Sequence, residues 1–353
     1  MPTYVINVPA TSANIGPGFD VMGLSLSLYL TVTADTSAAA SVTIAYEGAN
    51  SEGLSCDPKT NLITSTALYV LQCNGIQGLP ACALRINNRI PLGRGLGSSG
   101  AAVVAGVLLA DAVGALHLSR QRMLDYCLMI EHHPDNVAAA LVGGFVASYL
   151  IDVDRSGNIP ASEAPANIAG STPDEQRERE LRALAADASL TLPPENIGHF
   201  VQLECSSAIR AVAVIPQFEL ATSKARAALP ATYETRDVVF NLQRLAVLTT
   251  ALGREHPDPW LIFRAMEDRV HQPYRMHLVP GLPEILASFN PDNTPGLLGI
   301  CLSGAGPTIL ALAVSDFDAI AAKLRAVLAR HDVDSKYQVL DIVSEGATCE
   351  AQP

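Results

Sequence analysis

The sequence predicts a mixed α/β (α+β) protein built from two domains. Segments with the two-residue alternation of strands are interleaved with segments of helical spacing in both halves of the chain. The length of 353 residues, 49% of them hydrophobic, supplies more material than one core usually uses. We therefore expect an N-terminal domain over residues 1–205 and a C-terminal domain over residues 206–353.

The N-terminal half begins with a predicted strand at residues 4–8, which Pro9 closes. Residues 10–20 carry small polar groups, two glycines, a proline and one carboxylate, and they predict a long loop suited to side-chain chemistry. Thr60 is the expected N-cap of the first helix. The remaining elements expected in this half are strands at 24–33, 42–46, 81–90 and 145–151 and helices at 61–73, 101–116 and 123–130.

Residues 152–200 are rich in Asp, Ser, Asn, Pro and Glu, and they predict a solvated insertion with one exposed helix at 175–186. No catalytic role is expected there. Regular structure is expected to resume with a strand at 211–215, which Pro216 ends. The other elements expected in the C-terminal half are helices at 223–228, 238–252, 260–268, 282–289 and 317–330, strands at 298–302, 309–314 and 337–343, and a glycine-rich turn at 303–308.

A glycine-rich segment at residues 91–102, PLGRGLGSSGAA, joins a predicted strand to a predicted buried helix. At a helix N-terminus the first N–H groups have no internal partner and the macrodipole is positive, so an anion can bind without a basic side chain. Ser98 and Ser99 fit the first turn, where a hydroxyl can cap an N–H or face a phosphate or a cation. The segment therefore predicts a phosphate-binding loop.

Other glycine motifs account for this segment less well. A Walker A loop is excluded, because neither Gly93 nor Gly95 is followed at the right distance by Gly-Lys-Ser/Thr. Residues 95–100 match G-x-G-x-x-G, but a dinucleotide site also needs an acidic residue on a strand about 20 residues later, and residues 118–121 offer none. A tight turn without a ligand stays open as an alternative.

Composition excludes several classes of protein. The formal charge of −12 opposes nucleic-acid backbones, so no nucleic-acid partner is expected. The most apolar window, residues 101–118, contains Asp111 and is short for a membrane span, and we expect neither a membrane anchor nor a secretory signal. Seven cysteines without a C-x-x-C pair indicate reduced thiols and a cytoplasmic location.

Three ordered stretches resemble the motifs of the GHMP small-molecule kinases: residues 8–20, VPATSANIGPGFD; the glycine loop at 91–100; and residues 302–308, LSGAGPT. Within that superfamily, residues 133–137, HPDNV, are similar to the signature of the homoserine kinases. The likeness spans residues 5–345 apart from 152–200. Two departures are Gly100, where the superfamily usually has Ala, and His132, where it usually has Gly.

The resemblance implies a two-domain fold, with an N-terminal domain like ribosomal protein S5 domain 2 and a ferredoxin-like C-terminal domain. It implies transfer of the γ-phosphoryl group of ATP to the side-chain hydroxyl of L-homoserine, giving O-phospho-L-homoserine in threonine biosynthesis, with bound Mg²⁺ and a homodimer. A GHMP kinase for mevalonate, shikimate or a sugar is the alternative. A nicotinamide-dependent oxidoreductase is disfavoured by the missing acidic residue.

The resemblance also implies which residues bind ATP and Mg²⁺. Asn61 corresponds to an adenine-site asparagine, and Ser99, or else Ser98, would hold Mg²⁺ together with Glu131. The expected phosphate-binding residues are Pro91, Gly93, Arg94, Gly95, Leu96, Gly97, Ser98, Ser99, Gly100 and Ala101.

For homoserine, the pattern implies Asn14, Asp20 and Asn136 around the amino group and hydroxyl, and Arg226 and Arg275 on the carboxylate. An arginine fork suits a carboxylate, and a carboxylate with amide oxygens suits an ammonium group. The remaining expected substrate contacts are Thr222 and Gly304, and the expected catalytic residues are Asn136, Glu131 and Asn14.

Asn136 stands where many GHMP kinases have an aspartate that acts as general base. An amide accepts no proton at neutral pH, so the resemblance implies catalysis by positioning and charge neutralisation. Asp135 and His133 are alternative bases, but we expect Asp135 to cap the following helix and His133 to be a packed turn residue. A zinc cluster of Glu131, His132 and His133 with Asp135 is disfavoured by its spacing.

Overall fold

A computed structural model describes residues 2–37, 40–48, 50–51, 53–151 and 191–352. The strands are β1 Thr3–Asn14, β2 Gly18–Asp35, β3 Thr43–Glu47, β4 Ala83–Asn88, β5 Phe145–Leu150, β6 Gly198–Leu203, β7 Arg210–Pro216, β8 Leu297–Leu302, β9 Ile309–Ala313, β10 Ser335–Asp341 and β11 Thr348–Gln352. The α-helices are α1 Leu62–Cys73, α2 Ser98–Gly114, α3 Arg120–Glu131, α4 Pro134–Val142, α5 Thr222–Ala227, α6 Thr235–Ala251, α7 Pro259–Ala265, α8 Gln272–Arg275, α9 Leu282–Ser288 and α10 Phe317–Arg330, with a 3₁₀ turn at Met276–Leu278.

The first sheet is centred on the long antiparallel pair β1 and β2. Its strand order is β11-β1-β2-β4-β3, and β5 joins it by pairing with β2 and then with β6. All these pairs are antiparallel except β3 with β4, which is parallel. The sheet therefore contains the C-terminal strand β11 as well as strands of the N-terminal half.

The second sheet has the antiparallel order β10-β7-β9-β8. Its side chains alternate between two cores: Ala211 and Ala213 belong to the core shared with the first sheet, whereas Val212 and Val214 face the core that includes α10. Both faces of this sheet are thus buried, which explains why β8 and β9 are apolar at every position.

Helix α2 is buried on most of its sides, as its Ala-, Val- and Leu-rich sequence predicts. It packs against α1, α3, α4 and β1. A helix held on several sides keeps its N-terminus in a fixed position, and the glycine-rich segment leads directly into that end. Among the described residues, none of the helices is both long and apolar enough to cross a membrane.

The predicted mixed α/β fold is confirmed, and most of the predicted elements are present within a few residues. The division at residues 205 and 206 stays a prediction. The predicted loop at 10–20 is wrong: β1 continues through Pro9 to Asn14, and the connection to β2 is a short turn at 15–17. Thr11 and Ser12 are buried, at 1% and 0% exposure, and their hydroxyls bond to other segments of the chain.

The predicted insertion at 152–200 lies mostly outside the described residues, as does the helix expected at 175–186. Its last residues are ordered, since strand β6 begins at Gly198 and pairs with β5. Strand β11 was not expected either. Both strands have few local signals and depend on pairing with a partner far away in the sequence.

The N-cap of α1 is Asn61 and not Thr60 as predicted. Its Oδ1 accepts the N–H groups of Ile63 and Thr64 at 3.1 and 3.4 Å. Its Nδ2 donates to the Tyr46 hydroxyl at 2.6 Å and to the Ser55 carbonyl at 2.8 Å. The Asn61 amide is therefore a buried junction between α1, β3 and the preceding loop.

Replacing Asn61 with Ala should lower the free energy of unfolding by about 1–2 kcal/mol, because the helix loses its cap and two partly buried acceptors, on Tyr46 and Ser55, lose a donor. Urea denaturation followed by circular dichroism measures this loss. Asn87→Ala, at an exposed position of β4, is the matched control and should change stability little. A stability of Asn61→Ala equal to that of the control would contradict the capping role.

Candidate active site

A cavity of about 110 Å³ that opens to solvent lies where the glycine-rich segment meets the ends of β1, α4, α5 and α8. All the predicted site residues line it except Asn61 and Ala101. Asn61 bonds within the α1 junction, and Ala101 is buried in α2. Five residues that were not assigned to the site also line the cavity: His133, Asp135, Leu220, Ala305 and Gly306.

The backbone of the glycine-rich segment takes a shape that glycine allows without strain. Gly93, Gly95 and Gly97 have φ angles of 60°, 74° and 71°, in the left-handed region. A Cβ on Gly97 would lie 2.0 Å from Thr11 Oγ1, and one on Gly95 would lie 2.3 Å from the Ser303 carbonyl oxygen. Both the conformation and the close packing therefore require glycine at these positions.

Four successive carbonyl groups of this segment are bonded to the surrounding chain. The carbonyls of residues 93–96 accept, in order, from Leu220 N at 3.0 Å, Thr308 N at 3.3 Å, Ser303 Oγ at 2.6 Å and Thr11 N at 3.1 Å. Gly97 is the N-cap of α2 and has no side chain with which to cap it. The start of α2 therefore keeps N–H donors and a positive dipole end at the cavity, which suits a phosphate.

The two serines of this segment have different partners. Ser99 Oγ donates to Glu131 Oε1 at 3.0 Å, and both residues line the cavity. Ser98 Oγ accepts from Asn88 Nδ2 at 3.3 Å. A hydroxyl and a carboxylate thus meet beside the start of α2 at Ser99.

The connection between α3 and α4 brings a histidine and two carboxylates together. His132 has a φ of 59°, a conformation that glycine adopts more easily than histidine. His133 Nδ1 lies 2.8 Å from Asp135 Oδ1, and its Nε2 lies 3.5 Å from Glu131 Oε2. Among the described residues, no cluster of three or more His, Cys, Asp or Glu has metal-binding geometry, so the zinc alternative gains no support.

Two expectations about this connection need correction. His133 is the N-cap of α4 and Asp135 lies in its first turn, so Asp135 is not the cap, although its Oδ1 accepts the Asn136 N–H at 2.8 Å. His133 also lines the cavity and is not merely a packed turn residue. Burial lowers the pKa of His133, but the neighbouring Asp135 and Glu131 carboxylates outweigh it and raise the pKa overall.

The pKa of Asp135 is shifted in the opposite direction to that of His133. Burial raises the pKa of its carboxyl group, but the His133 ring and the Asn136 N–H overcome this and lower the pKa overall. Asn136 is oriented by its neighbours, since its Oδ1 accepts from the Thr11 hydroxyl at 2.7 Å and its Nδ2 donates to Asp135 at 3.3 Å. Asp135 is therefore a stable carboxylate that helps to orient the Asn136 amide.

The far side of the cavity is charged. Arg226 forms a two-fold ion pair with Asp20, with nitrogen to oxygen distances of 3.0 and 2.8 Å. Asn14 accepts the Asp20 N–H at 2.9 Å and donates to the Gly304 carbonyl at 3.0 Å. The φ of 65° at Asn14 is a conformation that asparagine tolerates better than most residues.

Arg275 is almost fully buried, with 2% of its surface exposed. Its guanidinium donates to the carbonyls of Ala225 at 3.0 Å and Gly304 at 3.4 Å. Burial, and then the nearby Arg226, lower its pKa to about 10, so it stays charged at neutral pH. Within the described part of the chain, Arg275 has no carboxylate at ion-pair distance.

The additional cavity residues differ in whether the sequence indicates that they belong to the site. His133 and Asp135 lie in the HPDNV segment, and Ala305 and Gly306 lie in the third motif, so their positions carried a signal. Leu220 is a single apolar residue in a connection, and nothing in its local sequence marks it as part of a site.

The comparisons with known proteins agree with this geometry. Residues 61–144 match the family model described as "GHMP kinases N terminal domain", and together with the loop at the start of α2 they define a GHMP kinase. The chain is 49% identical over 350 residues to the homoserine kinase of Schizosaccharomyces pombe and 48% identical over 372 residues to that of Saccharomyces cerevisiae. Each alignment covers 99% of both chains, so the protein belongs to the homoserine kinase family.

A solved structure of the homoserine kinase from Cytophaga hutchinsonii shows the same fold. Its TM-score with this chain is 0.70 at 24% sequence identity, and the alignment covers 99% of this chain and 97% of that one.

Replacing Gly97 with Ala should lower the free energy of unfolding by about 1–3 kcal/mol, and kcat/KM for ATP should fall by at least about tenfold because the start of α2 is displaced. Urea denaturation and ADP release measure the two effects.

Gly75→Ala is the matched control, because Gly75 has a similar φ of 77° and nothing within 4 Å of an added Cβ. It shares the backbone strain without the collision at the cavity. If both variants kept wild-type kcat/KM, the loop would not be the phosphate site.

Proposed function

We propose that the protein transfers the γ-phosphoryl group of ATP to the side-chain hydroxyl of L-homoserine and so produces O-phospho-L-homoserine for threonine biosynthesis. The observation that carries this proposal is a single cavity with an anion-binding helix N-terminus at one end and a charged amino-acid site at the other. An uncharged sugar would use neither Asp20 nor the two arginines, and mevalonate, which has a carboxylate but no ammonium group, would give Asp20 no partner.

At the nucleotide end, the N–H groups at the start of α2 neutralise phosphate charge without a flexible side chain. Their positions are already set, because the carbonyls of residues 93–96 are bonded elsewhere. Phosphoryl transfer has a loose transition state, so fixed donors of this kind supply much of the catalysis. Asn61 stays a proposed adenine contact that rests on the sequence resemblance, since its amide is engaged at the α1 junction and it does not line the cavity.

The residues at the start of α2 fit a Mg²⁺ ion. Ser99 and Glu131 place a hydroxyl and a carboxylate oxygen 3.0 Å apart at the cavity, and Mg²⁺ favours one or two such ligands together with water and phosphate oxygens. Bound there, the ion would neutralise charge on the phosphates. Of the two candidate serines, the contact with Glu131 favours Ser99.

At the amino-acid end, Arg275 and Arg226 bind the α-carboxylate, and Asp20 with the Asn14 amide binds the α-ammonium group. Arg275 is buried, charged and unpaired within the described residues, so it attracts an anion into the cavity. Thr222 and Gly304 line the same end of the cavity. The substrate hydroxyl then points towards Asn136 and the helix N-terminus.

No residue is needed as a general base. Asn136 accepts a hydrogen bond from Thr11 and is itself held by Asp135, so it orients the hydroxyl of the substrate. The lowered pKa of Asp135, which His133 and the Asn136 N–H cause against the effect of burial, makes that carboxylate a weak proton acceptor. Positioning and charge neutralisation are sufficient for phosphoryl transfer to an alcohol.

The proposal is tested by ADP release from Mg-ATP with L-homoserine, L-threonine, L-serine, mevalonate, shikimate and galactose. We expect turnover with L-homoserine to exceed that with every other alcohol. Preferred turnover of mevalonate, shikimate or galactose would refute the amino-acid site and leave the phosphate loop intact.

Replacing Glu131 with Gln should raise the Mg²⁺ concentration needed for half-maximal turnover by about 10–100-fold, because the carboxylate ligand is lost. Mg²⁺ titrations at saturating ATP and L-homoserine measure the shift. Glu47→Gln, at an exposed position of β3, removes the same charge and should leave the Mg²⁺ dependence unchanged. An unchanged titration of folded Glu131→Gln, its thermal unfolding being recorded in parallel, would place the metal elsewhere.

We further propose a cytoplasmic homodimer with no nucleic-acid partner. All seven cysteines are free thiols, which supports a reducing compartment, and the net charge of −12 disfavours nucleic acid. Helix α6 exposes Val238, Val239 and Leu242, the last with 59% of its surface accessible, and such an apolar face suits contact with a second copy.

Replacing Leu242 with Glu should shift the protein from dimer to monomer, because a charge would be buried at the contact. Sedimentation velocity measures the assembly state. Gln243→Glu, at the adjacent exposed position, is the control and should stay dimeric. A Leu242→Glu variant that is as dimeric as the wild type would move the contact to another surface.

A further inference from the structure

Asp20 and Arg226 form an ion pair with each other across the cavity. Asp20 lies on β2 and Arg226 on α5, 206 residues later, yet both carboxylate oxygens meet both terminal nitrogens of the guanidinium. The two side chains are 33% and 37% exposed, so the pair is reached from the cavity and is partly in contact with water. A two-fold arginine–carboxylate pair is the geometry in which arginine also binds a ligand carboxylate.

Arg275 differs from Arg226 although the two lie together. The ring of Phe19 lies beneath both, with its centroid 5.0 Å from the Arg275 guanidinium carbon and 5.7 Å from that of Arg226. Phe19 is itself stacked on His271, which is fully buried and bonded to the Gly16 carbonyl. The ring therefore holds two like charges side by side, one paired with Asp20 and the other, at the cavity lining, without a carboxylate at ion-pair distance among the described residues.

We propose that the Asp20–Arg226 pair occupies the place of the zwitterionic substrate and that the amino acid binds by exchange of ion pairs. The α-carboxylate replaces Asp20 on Arg226, between that residue and Arg275. The α-ammonium group replaces Arg226 on Asp20. The proposal rests on the proposed function and adds to it a physical reason for selecting α-amino acids.

The number of ion pairs that a ligand breaks and forms explains why a zwitterion is selected. A zwitterion breaks one ion pair and restores a partner to both Asp20 and Arg226. A hydroxy acid without the ammonium group binds Arg226 only by leaving Asp20 unpaired. An amino alcohol without the carboxylate binds Asp20 only by leaving Arg226 unpaired. An analogue with only one of the two charged groups therefore binds more weakly for two reasons. It breaks the internal ion pair without restoring a partner to both residues, and it lacks one contact of its own.

The test uses L-homoserine, 4-hydroxybutanoate and 2-amino-1,4-butanediol, with dissociation constants measured by calorimetry on the full chain. Asp20→Asn should weaken L-homoserine by about tenfold or more, since a charged contact is lost. The same variant should bind 4-hydroxybutanoate about two- to fivefold more tightly than the wild type, because Arg226 no longer has to leave a carboxylate. By the same reasoning, Arg226→Gln should weaken the binding of L-homoserine and strengthen the binding of 2-amino-1,4-butanediol.

The Arg210–Asp341 pair, with side chains 38% and 62% exposed, is the matched control. Arg210→Gln removes a partly exposed ion pair whose residues do not line the cavity, and it should leave all three dissociation constants unchanged. Thermal unfolding of each variant shows that it is folded, and the two variants test opposite ends of the exchange, so either one alone is decisive.

If Asp20→Asn and Arg226→Gln each weakened the binding of all three ligands equally, the exchange of ion pairs would be refuted. The Asp20–Arg226 pair would then have a purely structural role. This outcome is separable from failure of the proposed function, because calorimetry needs no turnover. Turnover of L-homoserine without the opposite responses refutes the exchange alone, whereas opposite responses without turnover support the exchange and refute the kinase proposal.

Discussion

The hydrogen bonds accepted by the carbonyls of residues 93–96 are the constraint on which the rest of the site depends. Their donors come from β1, from the connection before α5 and from the turn after β8, so they join all three motifs into one body. With the carbonyls engaged, the N–H groups at the start of α2 are left for an anion. The proposed phosphate site is thus a property of backbone geometry, and the surrounding segments hold that backbone in place.

Much of this site was visible in the sequence because its residues are local and unusual. The glycines at 93, 95 and 97 predict their own conformation, and buried Val- and Ala-rich sequence predicts the helix behind them. What could not be predicted is pairing over long distances. Asp20 meets Arg226 across 206 residues, and β11 finds β1 from the other end of the chain, and neither contact leaves a local pattern.

The error at residues 10–20 has a physical cause. Thr11, Ser12 and Asn14 have the composition of a loop, but in this fold they are buried strand residues whose side chains bond to Asn136, Ser303 and Gly304. A sequence shows that a residue is polar, but it does not show whether water or another segment of the chain supplies its hydrogen-bond partner. Where strands carry the site, polar composition indicates function more reliably than it indicates a loop.

The position of β11 has a consequence for synthesis of the chain. Strand β1 is made first, but its outer edge is covered only when residues 348–352 pair with it. Until residues 348–352 have been synthesised and have paired with β1, the outer edge of β1 therefore presents hydrogen-bonding groups that another strand could use. Completion of the C-terminal strand is the step that closes this edge against other chains.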